Sequence, residues 1–332
     1  MAEREMLRIA AIADIHTKKT SHGAFQQLFT KASHDADVLL LCGDLTDYGT
    51  PEEARILAKE ITSSLRIPAI GVLGNHDFES GKADEVVRIL TDAGVVMLDG
   101  DSHEINGVGF AGVKGFAGGF GRRALGAWGE DIIKKFVHET IEEALKLEQA
   151  LARLRTPQKI AVLHYSPVQA TVEGEPPEII AFLGSSRLEE PLDRYRVTAV
   201  FHGHAHRGSP EGRTKGNAPV YNVAMPLMVT TYPDRQPFRV IEVPAGSEAL
   251  ASQNRRRNEA PVVSPRTHAP TPHRLVPRGT RTIARSLHDS DARHVLRTSD
   301  PAAQSGRFLR WTSARVRGEH AHQARAAEAG DQ

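Results

Sequence analysis

Short apolar runs alternate with helical patterns in the first part of the chain. The runs occupy residues 7–13, 37–42 and 67–73. Such continuous runs are typical of strands buried on both faces of a sheet. Residues 23–33 and 51–64 between them predict helices, the second opened by Pro51. A third helix is predicted near residues 83–93, ending at Gly94.

The pattern changes after Gly94. The stretches VVMLDG, SHEING and VGFAGVKG predict three adjacent strands joined by tight turns, with Asn106-Gly107 as a hairpin signal. Residues 131–155 predict an amphipathic helix. Its buried face would carry Ile133, Val137, Ile141, Leu145 and Leu151. Further strands are predicted at residues 159–164, 197–202, 219–224 and 238–243. We therefore expect an α/β (α+β) domain of two stacked sheets with helices outside, ending near Pro244.

The periodicity disappears in residues 246–332. Residues 251–332 contain 15 Arg, no Lys and 7 acidic residues, a net charge of +8. Such a segment buries too little apolar surface to offset its conformational entropy, so we expect a disordered Arg-rich tail. The first 250 residues have a net charge of −7. Nucleic-acid binding is therefore not expected of the body, whereas the tail leaves a weak contact open.

The single cysteine and the length of the apolar runs exclude several classes of protein. Cys42 alone can form neither an internal disulfide nor a multi-cysteine zinc site, and we expect it to be a small core residue. No apolar run reaches the 18 residues of a membrane span, and the run 7–13 meets Asp14 too early for a signal peptide. The sequence therefore predicts a cytoplasmic protein.

Metal-compatible side chains follow the predicted strands. They are Asp14, His16, Asp44, Asn75, His164, His204 and His206. Taken singly, each motif is more often a polar turn or a hydrogen-bonded histidine, but strand ends are where open α/β sheets place ligands. Imidazole and carboxylate without sulfur suit Mn, Fe, Zn or Ni. Seven ligands are too many for one tetrahedral ion and suit two ions about 3.5–4 Å apart with a shared carboxylate.

The ordered set resembles the calcineurin-like metallophosphoesterase superfamily. The family pattern D-x-H, G-D-x-x-D, G-N-H-[DE], H, G-H-x-H appears as DIH (14–16), GDLTD (43–47), GNHD (74–77), His164 and GHAH (203–206). The resemblance implies a four-layered αββα sandwich of two mixed sheets over residues 1–245. It also implies two divalent metal ions as cofactors and a small phosphoester as substrate.

The resemblance also implies a role for each motif residue. The first ion would be held by Asp14, His16, Asp44 and His206. The second ion would be held by Asn75, His164, His204 and again Asp44, which would bridge the two. His76 would not bind metal but would assist the leaving group after attack by a metal-bridging hydroxide. Asp77 would orient His76, or would simply be a carboxylate at a helix start.

The resemblance leaves the substrate open. GDLTD followed by a helix also resembles the cyclic-nucleotide phosphodiesterase branch, so a small phosphodiester or a cyclic nucleotide is the leading hypothesis. The alternatives are a phosphomonoesterase, a nucleotide pyrophosphatase and a non-catalytic scaffold of the same fold. The Gly-rich residues 112–130, with Lys114, Arg122, Arg123 and Trp128, would be either a loop over the pocket or a surface excursion. His202 matches no motif position and is expected to end a strand behind the site.

Overall fold

The computed structural model describes residues 6–246. Within them the strands are β1 (Met6–Ile12), β2 (Val38–Cys42), β3 (Ala69–Val72), β4 (Val95–Met97), β5 (Asp101–Ile105), β6 (Val108–Gly112), β7 (Gln158–Val162), β8 (Ala199–His202), β9 (Glu211–Arg213), β10 (Pro219–Asn222) and β11 (Arg239–Pro244). The α-helices are α1 (Gln26–Asp35), α2 (Pro51–Ser64), α3 (Ala83–Asp92), α4 (Asp131–Arg153), α5 (Glu189–Arg194) and α6 (Met225–Thr231). The tail predicted for residues 246–332 lies outside the described residues apart from Gly246.

The strands form two mixed sheets. The first has the order β11-β1-β2-β3-β4, in which β1 to β4 run parallel and β11 is antiparallel. The second has the order β5-β6-β7-β8-β10-β9, with β6, β7, β8 and β10 parallel and antiparallel strands at both edges. Parallel neighbours end at the same edge of a sheet, so residues that follow these strands are brought to a common edge.

The hydrophobic core explains the continuous apolar runs. Alternate residues of β1 pack on opposite faces: Ala10 and Ile12 against α1 to α3, and Ile9 against the second sheet with Phe110 and Phe201. A third cluster joins α4 and α5 to the other face of the second sheet. The layers therefore run helix, sheet, sheet, helix, and the four-layered sandwich expected from the sequence is confirmed.

Local signals set several boundaries. Helix α2 begins at Pro51 as predicted, and Thr50 and Glu53 form a capping box in front of it. Gly94, at φ 92°, follows α3. Asn106 and Gly107 both have positive φ, as a tight hairpin between β5 and β6 requires.

Two predictions about packing were wrong. Strand β4 pairs with β3 in the first sheet rather than with β5, so three adjacent strands do not form. In α4, Val137 and Leu151 are buried, but Leu145 is 43% exposed. On a helix of 3.6 residues per turn, each step of four residues overshoots a full turn by 40°. Residues spaced in such steps therefore rotate away from the buried face of α4. The buried face also includes Thr140, Glu143, Leu147 and Ala150.

Among residues 6–246, no helix combines the length and the apolar character that a membrane span requires.

Candidate metal centre

The predicted ligands converge at one edge of the sandwich. They follow the carboxyl ends of β1, β2, β3, β7 and β8, from both sheets. The donor atoms of Asp14, His16 and His206 all lie within 4.8 Å of one another, and so do those of Asp44, His164 and His204. These two groups correspond to parts of the two ion sites that the resemblance implies, while His16 also forms a third such group with Asp47 and His76.

The first group is built around the buried carboxylate of Asp14. Its Oδ1 lies 2.9 Å from Nε2 of His206, and its Oδ2 accepts a hydrogen bond from the backbone N–H of His204 at 2.9 Å. Both ring nitrogens of His16 are buried and, within the described residues, have no hydrogen-bond partner. Buried nitrogens without a partner are costly, so His16 has free donor atoms that a cation would satisfy.

The second group surrounds His164. Its Nε2 lies 2.9 Å from Oδ1 of Asn75 and 3.4 Å from Oδ1 of Asp44. The other carboxylate oxygen of Asp44 lies 3.8 Å from Nε2 of His16 in the first group. Asp44 thus has one oxygen on each side, which is the position that a bridging carboxylate requires.

Each histidine of the second group has its remaining nitrogen near a backbone carbonyl. Nδ1 of His164 lies 3.0 Å from the carbonyl oxygen of Cys42, and Nε2 of His204 lies 3.2 Å from that of Phe182. Metal-ligating histidines commonly donate their second N–H in this way, which fixes the ring and its tautomer. The nitrogens available to a cation are then Nε2 in His164 and Nδ1 in His204.

The backbone at the site is held in an uncommon conformation. Asp14, His16, Asp44 and His204 all have positive φ, between 42° and 69°. Left-handed backbone at residues other than glycine costs energy and collects at functional sites, where the surroundings hold it in place. Four strained positions among the seven predicted ligands therefore favour a binding role over four unrelated turns.

The motif glycines make room for these side chains. A Cβ on Gly43 would overlap the ring of His164, and one on Gly74 would overlap the carboxylate of Asp44. A Cβ on Gly203 would likewise overlap the carboxylate of Asp14. The glycine of each motif is needed because a ligand from another strand occupies the space beside it. Together with the free nitrogens of His16, this donor set fits a pair of divalent cations.

Burial and opposite charges set the protonation of the group. Burial raises the pKa of Asp14, but the hydrogen bond from His206 and the charges of His164 and His206 together outweigh it, so the pKa is lowered. Burial also opposes the charged form of Asp44, but the charge and hydrogen bond of His164, together with those of His76, outweigh it, so the pKa of Asp44 falls. Burial disfavours the cation of His164, but the charge and hydrogen bond of Asp44, together with the charge of Asp14, raise its pKa to about 9. Burial lowers the pKa of His204 to about 3. Both carboxylates are therefore ionised at neutral pH.

His76 stands at the edge of the centre. Its Nδ1 lies 2.8 Å from the backbone carbonyl oxygen of Asp47, and its ring meets that of His16 edge to face at 4.6 Å. Glu79 Oε1 is 3.5 Å from the same nitrogen. The ring of His76 is therefore oriented by Asp47 and Glu79.

Of the two expectations for Asp77, the structure agrees with a carboxylate at a helix start, because Asp77 lies in the first turn of the short helix His76–Phe78. Its carboxylate is buried and accepts hydrogen bonds from the backbone N–H groups of Leu45, Thr46 and Gly74. Burial, followed by the charge of Asp44, raises the pKa of Asp77 to about 6. Asp77 therefore clamps the loops after β2 and β3 together, and the expectation that it orients the His76 ring was wrong.

His202 lies behind the site, as expected. It is the last residue of β8 and is fully buried, with Nδ1 at 2.8 Å from the carbonyl oxygen of Gly203 and Nε2 at 2.8 Å from Thr171 Oγ1. Burial lowers the pKa of His202 to about 4, so it is neutral. It supports the turn that carries His204 and His206.

Sequence reasoning missed several groups around the centre. Asp47 was recognised only as a motif letter, yet its Oδ1 is 3.5 Å from Nδ1 of His16. The ring of Tyr165 packs on that of His204 with centroids 4.4 Å apart. The position of Tyr165 directly after His164 was the available signal. No sequence signal indicated the contact of His204 with the carbonyl of Phe182, because any residue type at position 182 supplies the same backbone oxygen.

Known proteins place the chain in a family. The model of the calcineurin-like phosphoesterases matches residues 7–208. The crystal structure of the phosphopantetheinyl hydrolase PptH from Mycobacterium tuberculosis is similar, with 16% identity, a TM-score of 0.52, and coverage of 70% of this chain and 95% of that chain. The protein TT1561 of Thermus thermophilus matches at 16% identity and a TM-score of 0.43, covering 68% of this chain and 92% of its own. No curated protein sequence matches significantly.

Proposed function

The chain belongs to the calcineurin-like phosphoesterase family, whose activity is metal-dependent hydrolysis of phosphoesters, and we propose that its own substrate is a small phosphodiester or a cyclic nucleotide. The metal-dependent chemistry in this proposal rests on the position of Asp44. One of its oxygens faces His16 and the other faces His164, so the carboxylate lies between two groups of donors. A catalytic pair of cations requires this arrangement.

We assign the two cation sites as follows. Asp14, His16, His206 and Asp44 hold the first cation, and Asn75, His164, His204 and Asp44 hold the second. The donors are imidazole, carboxylate and amide oxygen, which suit Mn, Fe, Zn or Ni. When bound, the two cations supply a hydroxide near neutral pH and neutralise charge on the phosphoryl oxygens.

The chain itself supplies orientation and a proton. Asp47 fixes Nδ1 of His76 through its backbone carbonyl, which leaves Nε2 to face a substrate. As the bond between phosphorus and the leaving oxygen breaks, that oxygen takes the proton of Nε2, and the phosphoryl group keeps the oxygen of the attacking water. His76 is then neutral and regains its proton from solvent.

The choice of a diester rests on the sequence around β2. GDLTD, with α2 beginning shortly afterwards at Pro51, resembles the pattern of the cyclic-nucleotide branch. Phosphomonoesters and nucleotide pyrophosphates are the rival substrates within the same chemistry.

Metal content and a substrate panel test the proposal. Protein purified without chelator and loaded with Mn²⁺ is expected to bind two ions per chain and to cleave bis-p-nitrophenyl phosphate or a cyclic nucleotide faster than p-nitrophenyl phosphate. The variant Asp44→Asn should lose activity and part of the metal. A loaded wild-type protein that cleaves only monoesters would disprove the diester assignment, and one that binds no metal would refute the site.

A further inference from the structure

A cavity lies against the residues that flank the GNHD motif, Leu73 on one side and Phe78 on the other. It has a volume of about 260 Å³. Its lining includes Leu73, Phe78, Val87, Met97, Leu98 and Lys114. Leu73, Leu98 and Lys114 all come just after the carboxyl ends of strands (β3, β4 and β6), so the cavity lies on the same edge as the predicted ligands.

Residues that line the cavity are neighbours, in sequence or through side-chain contacts, of the groups proposed to act on the substrate. Leu73 immediately precedes the Gly74-Asn75-His76 motif, and Phe78 follows His76 by two residues and is 46% exposed. On the other side, Nζ of Lys114 is 5.3 Å from the ring of Tyr165, which packs on His204. Leu73, Phe78 and Lys114 therefore put the cavity next to the segments that carry His76 and His164, where a leaving group could be received.

Lys114 gives the cavity one cation with spare donors. Its Nζ donates to the backbone carbonyl of Gly115 at 2.8 Å and lies 4.8 Å from the ring centroid of Phe116. Glu143, the nearest source of opposite charge, is already bonded to the backbone N–H of Gly115 and to Lys146. Burial lowers the pKa of Lys114 and Glu143 partly restores it. An ammonium has three N–H donors, so Lys114 keeps donors for a ligand.

Carboxylates also line the cavity. Asp99 pairs with Lys146 at 3.1 Å and Asp101 with Arg153 at 3.2 Å, so both are largely compensated. Asp84, in the first turn of α3, also lines the cavity. A ligand here meets one ammonium donor and one carboxylate acceptor on apolar walls. The volume of the cavity is below the roughly 300–1,000 Å³ of sites for drug-sized ligands, so the cavity suits a small group.

We propose that this cavity binds the leaving alcohol of the substrate, and that Lys114 selects an uncharged group with both a carbonyl-type acceptor and an N–H donor on an apolar or flat body. The proposal rests on the phosphodiesterase activity proposed above. A nucleobase and an amide chain share this chemistry. An anionic extension is disfavoured because Asp84 adds a carboxylate to the lining beside the paired Asp99 and Asp101.

Three methyl phosphodiesters with different leaving alcohols test the selection. Methyl uridine 5′-phosphate carries a nucleobase, methyl 2-acetamidoethyl phosphate carries an amide, and methyl phenyl phosphate has a flat body without the polar pair. Lys114→Met keeps the length of the side chain and removes its charge and donors. We expect its kcat/KM, relative to wild type, to fall roughly 10- to 100-fold more on at least one polar substrate than on methyl phenyl phosphate, mainly through KM. Which polar substrate is affected distinguishes nucleobase from amide.

The matched control is Lys134→Met, the same change at an exposed lysine of α4, which should alter none of the three rates. Direct binding of uridine and of N-acetylethanolamine to the full chain, by ligand-observed NMR, provides a readout that needs no catalysis. Ala83→Leu, which narrows the cavity without changing charge, should weaken the same binding.

The outcomes separate this proposal from the activity on which it rests. If no diester is cleaved but an alcohol binds in a Lys114-dependent way, the proposed activity fails and the cavity assignment survives. If Lys114→Met lowers all three rates equally, or if neither alcohol binds more weakly to the variants, the cavity assignment is overturned while the phosphoesterase stands.

Discussion

The carboxylate of Asp77 accepts a hydrogen bond from the hydroxyl of Thr46 at 2.6 Å, across 31 residues of sequence. The same carboxylate accepts the backbone N–H groups of Thr46 and Gly74. The two loops joined in this way carry Asp44 and Asn75. The clamp therefore sets the separation of two predicted ligands without contacting a cation itself.

Asp77→Asn should destabilise the protein by about 3 kcal/mol, because an amide NH₂ would replace one of the two acceptor oxygens and face buried N–H donors. Urea unfolding of metal-free protein measures the change. The control Asp92→Asn, at the exposed end of α3, should stay within about 0.5 kcal/mol of wild type. Equal stability of the two variants would show that the clamp contributes nothing.

Gly74→Ala should lower metal affinity about 10- to 100-fold, because the new Cβ overlaps the carboxylate and backbone nitrogen of Asp44. Gly74 does not have a positive φ, so the effect comes from crowding rather than from backbone strain. Calorimetric titration with Mn²⁺ measures it. Gly126→Ala, where the added Cβ meets only the exposed side chain of Trp128, is the matched control. Unchanged affinity in Gly74→Ala would mean that Asp44 moves away at little cost.

His76→Ala should slow cleavage of an alkyl diester by about 10²- to 10⁴-fold in kcat, because a poor leaving group needs a proton in the transition state. A p-nitrophenyl diester, whose leaving group is stable as an anion, should lose much less. Steady-state kinetics on the pair with Mn²⁺-loaded protein measures the difference. Equal losses on both esters would assign His76 to binding the phosphoryl group instead of protonating the leaving oxygen.

Chelation should lower the thermal stability. In the metal-free protein Asp14 and Asp44 repel each other, and the nitrogens of His16 lack partners among the described residues. Bound cations would offset the repulsion and bond to His16, so the metal-loaded protein is more stable. At metal concentrations about 100 times Kd, the gain is about 2.7 kcal/mol, or roughly 5–10 °C in Tm. Differential scanning fluorimetry with Mn²⁺ and with EDTA measures this shift. The variant Asp44→Asn should show a smaller shift, and an identical shift would place the stabilising cation elsewhere.

The chain pattern alone predicted the strands and helices of the first sheet well. The run at residues 37–42 and the proline-led helix at 51–64 correspond to β2 and α2 within one residue. Local chemistry decides these elements: a continuous apolar run needs burial on both faces, and Pro51 is suited to a first helical turn. The motif spacing also placed the seven predicted ligands at strand ends, where the structure brings them together.

The tertiary structure decided the features that depend on residues distant in sequence, namely strand pairing, helix packing and side-chain contacts. Strand β4 joins β3 because α3 returns the chain to the first sheet, and no local pattern distinguishes that from a meander. The true face of α4 includes Glu143, a charged residue that is buried because it bonds the N–H of Gly115. The clamp by Asp77 and the cavity around Lys114 arise in the same way. Residue type shows which groups a chain can offer, but only packing determines which partner each group meets.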